Sequence, residues 1–148
     1  MAIPDPDPVF VGRRWQCPVA AADWPDLSHA TVWFEPADGD RTARPTEGQR
    51  AALRHLIEQA GVVRGLVSDA LAADYPARLA NSDLEGDAAA AAVAAGPPAN
   101  SRLSQVVVWR SGAVGFDFLW DFDEEHGLGV RWAEEKVVAV GVAEVAHP

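Results

Sequence analysis

The chain has 148 residues, of which 49% are hydrophobic and 23% charged, with 22 Asp and Glu against 12 Lys and Arg. That length and balance suit a single domain over residues 1–148 with one hydrophobic core, and exclude a disordered or fibrous chain. A formal net charge of −10 would repel the phosphates of nucleic acid, and favours solubility and capture of a basic partner.

Residues 1–8, with Pro4, Pro6 and Pro8, cannot pair in a sheet and read as an extended lead-in. No positive segment followed by an apolar run stands there, so no secretory signal is expected, and no stretch nears the ~18 apolar residues of a membrane span. Cys17 is the one cysteine and has no partner for an internal disulfide. It reads as a small buried hydrophobe. The expected location is the cytoplasm, with no membrane and no nucleic acid among the partners.

Residues 9–15 and 30–35 carry β-branched and aromatic side chains and predict two antiparallel strands, the second closed by a turn at Asp38-Gly39. Pro45 then precedes Thr46-Glu47-Gly48-Gln49, which has the form of a capping box at a helix start. Behind it Leu53, Leu56, Ile57, Ala60, Val63, Val67, Ala70 and Leu71 recur at spacings of three and four, drawing one apolar stripe. Gly61 and Gly65 predict a break or bend, and Tyr75-Pro76 an end. His55 lies beside the stripe and receives no role. Residues 77–102 are rich in Ala, Pro and Gly and read as a mobile connection, with Ser82-x-x-Glu85 offering a cap for a short helix.

From Leu103 the pattern turns to period two, and strands are expected over 103–109, 114–122, 128–132 and 137–142. Links this short make them antiparallel neighbours. The expected fold class is therefore α+β: an antiparallel sheet built from an N-terminal hairpin and a C-terminal four-strand meander, with one long or broken helix packed on one face.

In the second of these strands Val114, Phe116, Phe118, Trp120 and Phe122 alternate with Gly115, Asp117, Leu119, Asp121 and Asp123. The aromatics make a core face. The other face is acidic, and Glu124, Glu125 and His126 follow it directly. Asp117, Asp121, Asp123, Glu124 and Glu125 fall within nine residues that hold no base, and form the candidate partner-binding rim. His126, Gly127 and Gly129 are the candidates for fixing the turn into the next strand, the imidazole by a hydrogen bond and the glycines by backbone freedom.

The run Asp123-Glu124-Glu125-His126-Gly127-Leu128-Gly129-Val130, followed by Val137-Val138 and Gly141, resembles the hallmark of an uncharacterised bacterial domain family. Its members carry Trp-Asp-x-Glu-His-Gly-Leu-Gly-Val ahead of a strand ending in glycine. Pro45-Thr46-x-x-Gln49-x-Ala51-Ala52-Leu53 is similar to that family's helix start, so the likeness spans residues 44–146. One departure is Phe122, which stands where the family has Trp. The resemblance implies a role like that of the small acidic proteins encoded near bacterial polymorphic toxins.

Two functions follow as expectations. The first is a small acidic binding protein of the immunity type, neutralising a basic toxin through the acidic rim. The second is a metal-binding domain or metal-dependent hydrolase using the Asp/Glu/His run, whose side chains are of metal-ligand type. Consecutive strand residues project to opposite faces, so no metal ligand set is assigned. No nucleophile elbow or phosphate-cradling loop is present, and neither a catalytic residue nor a cofactor is expected.

Overall fold

The computed structural model describes residues 7–148. The expected lead-in therefore lies outside the described residues, Asp7 and Pro8 excepted. The protein is α+β. Seven strands form one sheet in chain order: β1 (Val9–Val11), β2 (Arg14–Gln16), β3 (Thr31–Phe34), β4 (Ser101–Val108), β5 (Val114–Trp120), β6 (Leu128–Ala133) and β7 (Lys136–Gly141). Between β3 and β4 run α1 (Glu47–Glu58), α2 (Ala60–Ala80) and α3 (Gly86–Ala95). Among the described residues no helix is long and apolar enough to cross a membrane.

The four strands of the C-terminal meander pair antiparallel as their short links require, with register running from Val108↔Val114 through Val114↔Trp132 to Ala133↔Lys136. The N-terminal half departs from expectation. Residues 9–15 hold not one strand but a hairpin, β1 against β2, turned at Gly12 with φ +64°. A left-handed turn residue halves the strand because glycine alone carries no penalty there. β2 then pairs antiparallel with β3 at Gln16↔Trp33. β3 joins the meander in parallel, from Thr31↔Gln105 to Phe34↔Val108. The helical segment is the long crossover that a parallel pair needs, so the sheet is mixed rather than wholly antiparallel.

The helix start forms as the capping box predicts. Gln49 N–H donates to Thr46 Oγ1 at 3.1 Å and Thr46 N–H to Gln49 Oε1 at 3.0 Å. Gln49 does more than cap. It is fully buried, and its Nε2 donates to the carbonyls of Glu35 (3.0 Å) and Val108 (3.1 Å), at the ends of β3 and β4. One amide thereby joins the helix start to the parallel pair with its donors and acceptor all engaged.

The helical segment breaks at Gln59, two residues before Gly61, and it does not end at Tyr75-Pro76. Pro76 lies inside α2, which runs on because Leu71, Tyr75 and Leu79 continue its buried stripe. Pro76 and Ala72 both lie on the exposed side of α2, where the hydrogen bond that proline removes costs least. The expected connection over 77–102 holds the last turn of α2, all of α3 and a 3-10 turn over Pro97–Ala99. Ser82 does not cap α3. Its hydroxyl donates to the Leu79 carbonyl at 2.7 Å, and Glu85 precedes the helix without a side-chain cap.

The core lies between the helices and one face of the sheet. Phe116 stacks on Trp24 at 5.2 Å, and Trp120 meets Tyr75 edge-on at 5.7 Å, joining sheet aromatics to the helical layer. His55, unassigned in the sequence, stacks on Trp132 at 5.7 Å and pairs with Glu135 in the β6–β7 turn.

The second face of the sheet is crossed by the C-terminal 3-10 turn, Ala143–Ala146. Glycines let it lie there. A Cβ on Gly115 would stand 1.8 Å from the Ala146 carbonyl oxygen, and one on Gly129 2.5 Å from that of Val142. Trp109 Nε1 donates to the Ala146 carbonyl at 2.9 Å and closes the strap. Gly115→Ala should therefore destabilise the protein by about 3 kcal/mol or more in urea unfolding. Gly65→Ala, where α2 leaves open space around the added methyl, should stabilise it by about 0.5–1 kcal/mol. Equal small effects at both positions would show that the strap does not rest on the glycine.

Candidate functional site

The acidic segment divides into two places. β5 ends at Trp120, two residues sooner than the alternation predicts, and residues 121–127 form a loop. Phe122 half-buries by packing edge-on to Trp120 at 5.9 Å. Asp121 and Asp123 are thus loop residues rather than members of a strand face. Asp121, Glu124 and Glu125 are exposed.

Asp123 organises the loop. Its Oδ1 accepts the His126 backbone N–H at 3.1 Å, and His126 Nδ1 stands 3.0 Å from both carboxylate oxygens. The Asp123 carbonyl accepts from Gly127 N–H at 2.9 Å, and the His126 carbonyl from Ala143 N–H at 2.8 Å. An Asp that bonds the backbone a few residues on is a local turn device. Gly127 has φ +58°, and a Cβ there would come within 2.6 Å of the Phe118 carbonyl oxygen. Gly129 serves the strap instead. Of the two glycines, only Gly127 supplies unusual backbone freedom.

Asp117 does not belong to this rim. It is 9% exposed, on the second face of the sheet, with His147 Nε2 2.7 Å from its Oδ2. Trp33 lies beside the imidazole at 6.0 Å between centroids, and its Nε1 donates to Gln105 Oε1 at 2.9 Å. Four distant stretches of chain meet here. The sequence signal was a clean alternation in β5, which put Asp117 opposite the core. Nothing in the spacing pointed to His147.

The loop also gains a base that lies far away in sequence. Arg102 of β4 pairs in register with Leu119, and Arg102, Asp121 and Glu124 line one depression of 390 Å³. Among the described residues Arg102 forms no ion pair with either acid. Nor is any group of three or more His, Cys, Asp or Glu side chains among the described residues placed to hold a metal ion. Asp123 and His126 face each other, Asp117 faces His147, and Asp121, Glu124 and Glu125 form no ion pair among the described residues.

Cys17 is buried, and that burial, with the Asp7 carboxylate next in effect, pushes its thiol above the usual range. A protonated, enclosed thiol is a poor nucleophile. No protein-family model, no curated protein and no solved structure matches this chain.

The geometry separates residues that shape the loop from residues that only project from it. Asp123→Ala should cost about 1 kcal/mol in thermal unfolding and speed amide exchange at His126 and Gly127. Glu124→Ala and Glu125→Ala should each stay within about 0.5 kcal/mol of the parent. A larger loss from either glutamate than from Asp123 would reverse these assignments.

Proposed function

We propose that this chain is a small acidic binding protein of the immunity type, which docks a basic protein partner in the cytoplasm through the loop 121–126. The observation that carries this reading is that Asp121, Glu124 and Glu125 stay exposed on a loop whose backbone is held by Asp123. Carboxylates that project from a backbone already held in place spare the complex the cost of ordering that backbone on binding. Their charge steers a basic partner and raises its rate of association. Arg102 is the one base lining the depression beside Asp121 and Glu124, so the three exposed carboxylates of the loop keep a net negative charge.

The net charge of −10 acts in the same direction over the whole surface. The likeness of residues 123–130 to an uncharacterised bacterial domain family, whose members resemble proteins encoded beside polymorphic toxins, supports the choice of partner. Nuclease toxins are basic because they meet nucleic acid. An acidic loop placed over such a surface occludes the substrate path without any chemistry of its own. Nucleic acid and membranes are not partners in this reading.

The experiment is calorimetric binding of a panel of basic nuclease-toxin domains, beginning with any encoded next to this chain. Glu124→Lys combined with Glu125→Lys should weaken the complex by at least ~30-fold and slow association, with the melting temperature within about 2 °C of the parent. Unchanged affinity in that variant, or no complex with any member of the panel, would overturn the reading.

A further inference from the structure

The acidic balance of the chain reverses in one hollow. It lies between the β1–β2 hairpin, the end of β3 and the loop after it, and measures 620 Å³. Three of its lining residues are Arg13, Arg14 and Arg41, and none is acidic. Among the described residues no carboxylate pairs with any of the three guanidiniums. Like charges gathered around one space repel unless a counter-charge enters it.

The backbone brings these arginines together, and the side chain of Arg14 is itself held. The turn at Gly12 puts Arg13 and Arg14 at the hairpin tip. The Arg14 guanidinium lies over the Trp33 ring at 4.7 Å and donates from Nη1 to Gln105 Oε1 at 3.4 Å. Arg41 sits on a loop that Asp40 closes, its Oδ1 accepting Thr42 N–H at 3.0 Å and the Thr42 hydroxyl at 2.7 Å. Those bonds hold the Asp40 carboxyl below its ordinary pKa and occupy it within the loop.

A second hollow of 610 Å³, which shares Pro36 and Arg41 with the first, includes Glu35 and Asp38. Glu35 is already engaged, accepting the Arg110 backbone N–H at 2.7 Å. That leaves Asp38, which lines the adjoining hollow with Arg41, as the nearby acid with no hydrogen bond or ion pair among the described residues.

We propose that this hollow binds a small phosphorylated molecule, its phosphate or diphosphate held by Arg13, Arg14 and Arg41. Planar guanidinium forks match phosphate oxygens in pairs and keep their charge at every physiological pH. A single carboxylate would neutralise one of three. A phosphate or diphosphate carries two or more charges and suits the set. The volume falls within the ~300–1,000 Å³ of ordinary small-molecule sites, which suits a ligand of mononucleotide size. Trp33 is already engaged by the Arg14 guanidinium at 4.7 Å and by the His147 ring at 6.0 Å, so the ligand is held by its phosphate rather than by ring stacking. The site is separate from the acidic loop and does not depend on the role proposed for that loop.

The test is titration calorimetry on the full chain with inorganic pyrophosphate and ADP, against succinate as a dicarboxylate of similar span. The expected result is saturable pyrophosphate or ADP binding with Kd below about 1 mM, weakening as salt rises. Arg14→Gln and Arg41→Gln should each weaken it at least ~tenfold. Arg13→Gln, at an exposed hairpin tip, provides a variant that leaves the Trp33 contacts intact, and should act in the same direction. Glu124→Lys combined with Glu125→Lys should retain pyrophosphate binding, which separates this site from the acidic loop. Absence of saturable binding by both phosphate probes would overturn the proposal. So would equal affinity for succinate, or phosphate binding that persists in the folded triple Arg→Gln variant. Binding of an oligonucleotide with no response to pyrophosphate or ADP would overturn the small-molecule assignment.

Discussion

The C-terminal strap can cross the second face of the sheet only where strands carry no side chain. Gly115 and Gly129 leave that space, and the carbonyls of Ala146 and Val142 occupy it. A methyl at Gly115 would overlap the Ala146 backbone outright. Several other features depend on this approach. Trp109 reaches the Ala146 carbonyl, His147 reaches Asp117, and Ala143 donates to the carbonyl of His126. Close packing of backbone on backbone thus sets the position of the last residues and one end of the acidic loop together.

A sheet with a helical layer on one side has a second face to manage. Here that face carries Asp117, Trp33, Gln105 and Arg14 as well as the strap. Asp117 meets His147, and Gln105 accepts from both Trp33 and Arg14, so these polar groups are paired with one another. Gln49 performs the corresponding task on the other side, where its buried amide ties the start of α1 to the ends of β3 and β4. The second face reaches the arginine-lined hollow through Arg14 and Trp33, and the acidic loop 121–126, of opposite sign, follows the end of β5.

Charge in this chain is therefore organised by position more than by its sum. The value of −10 describes the whole chain, and at long range a basic partner is attracted to it. At short range the outcome depends on which side chains line a given hollow. Arg102 enters the depression beside Asp121 and Glu124, and three arginines line a hollow free of acids. Screening over roughly 8–10 Å makes such local groupings nearly independent of the total.

Local chemistry was legible in the amino-acid sequence by itself. The capping box at Thr46 and Gln49, the apolar stripe behind it and the alternation from Leu103 onward each depend on residues within a few positions of one another. They determined the α+β class, the antiparallel meander and the aromatic core face of β5. Tertiary structure alone decided what depends on distant residues. The parallel β3–β4 pair arises because the helical crossover returns the chain beside β3, and no short-range pattern specifies that neighbour. α2 passes Pro76 because its buried stripe continues against the core, which outweighs the local penalty. Asp117 leaves the acidic rim because His147, 30 residues on, is brought to it. Arg13 and Arg14 meet Arg41 because the sheet places a hairpin tip beside a loop. Side-chain type is written locally, but the company a side chain keeps is fixed only when the strands pair.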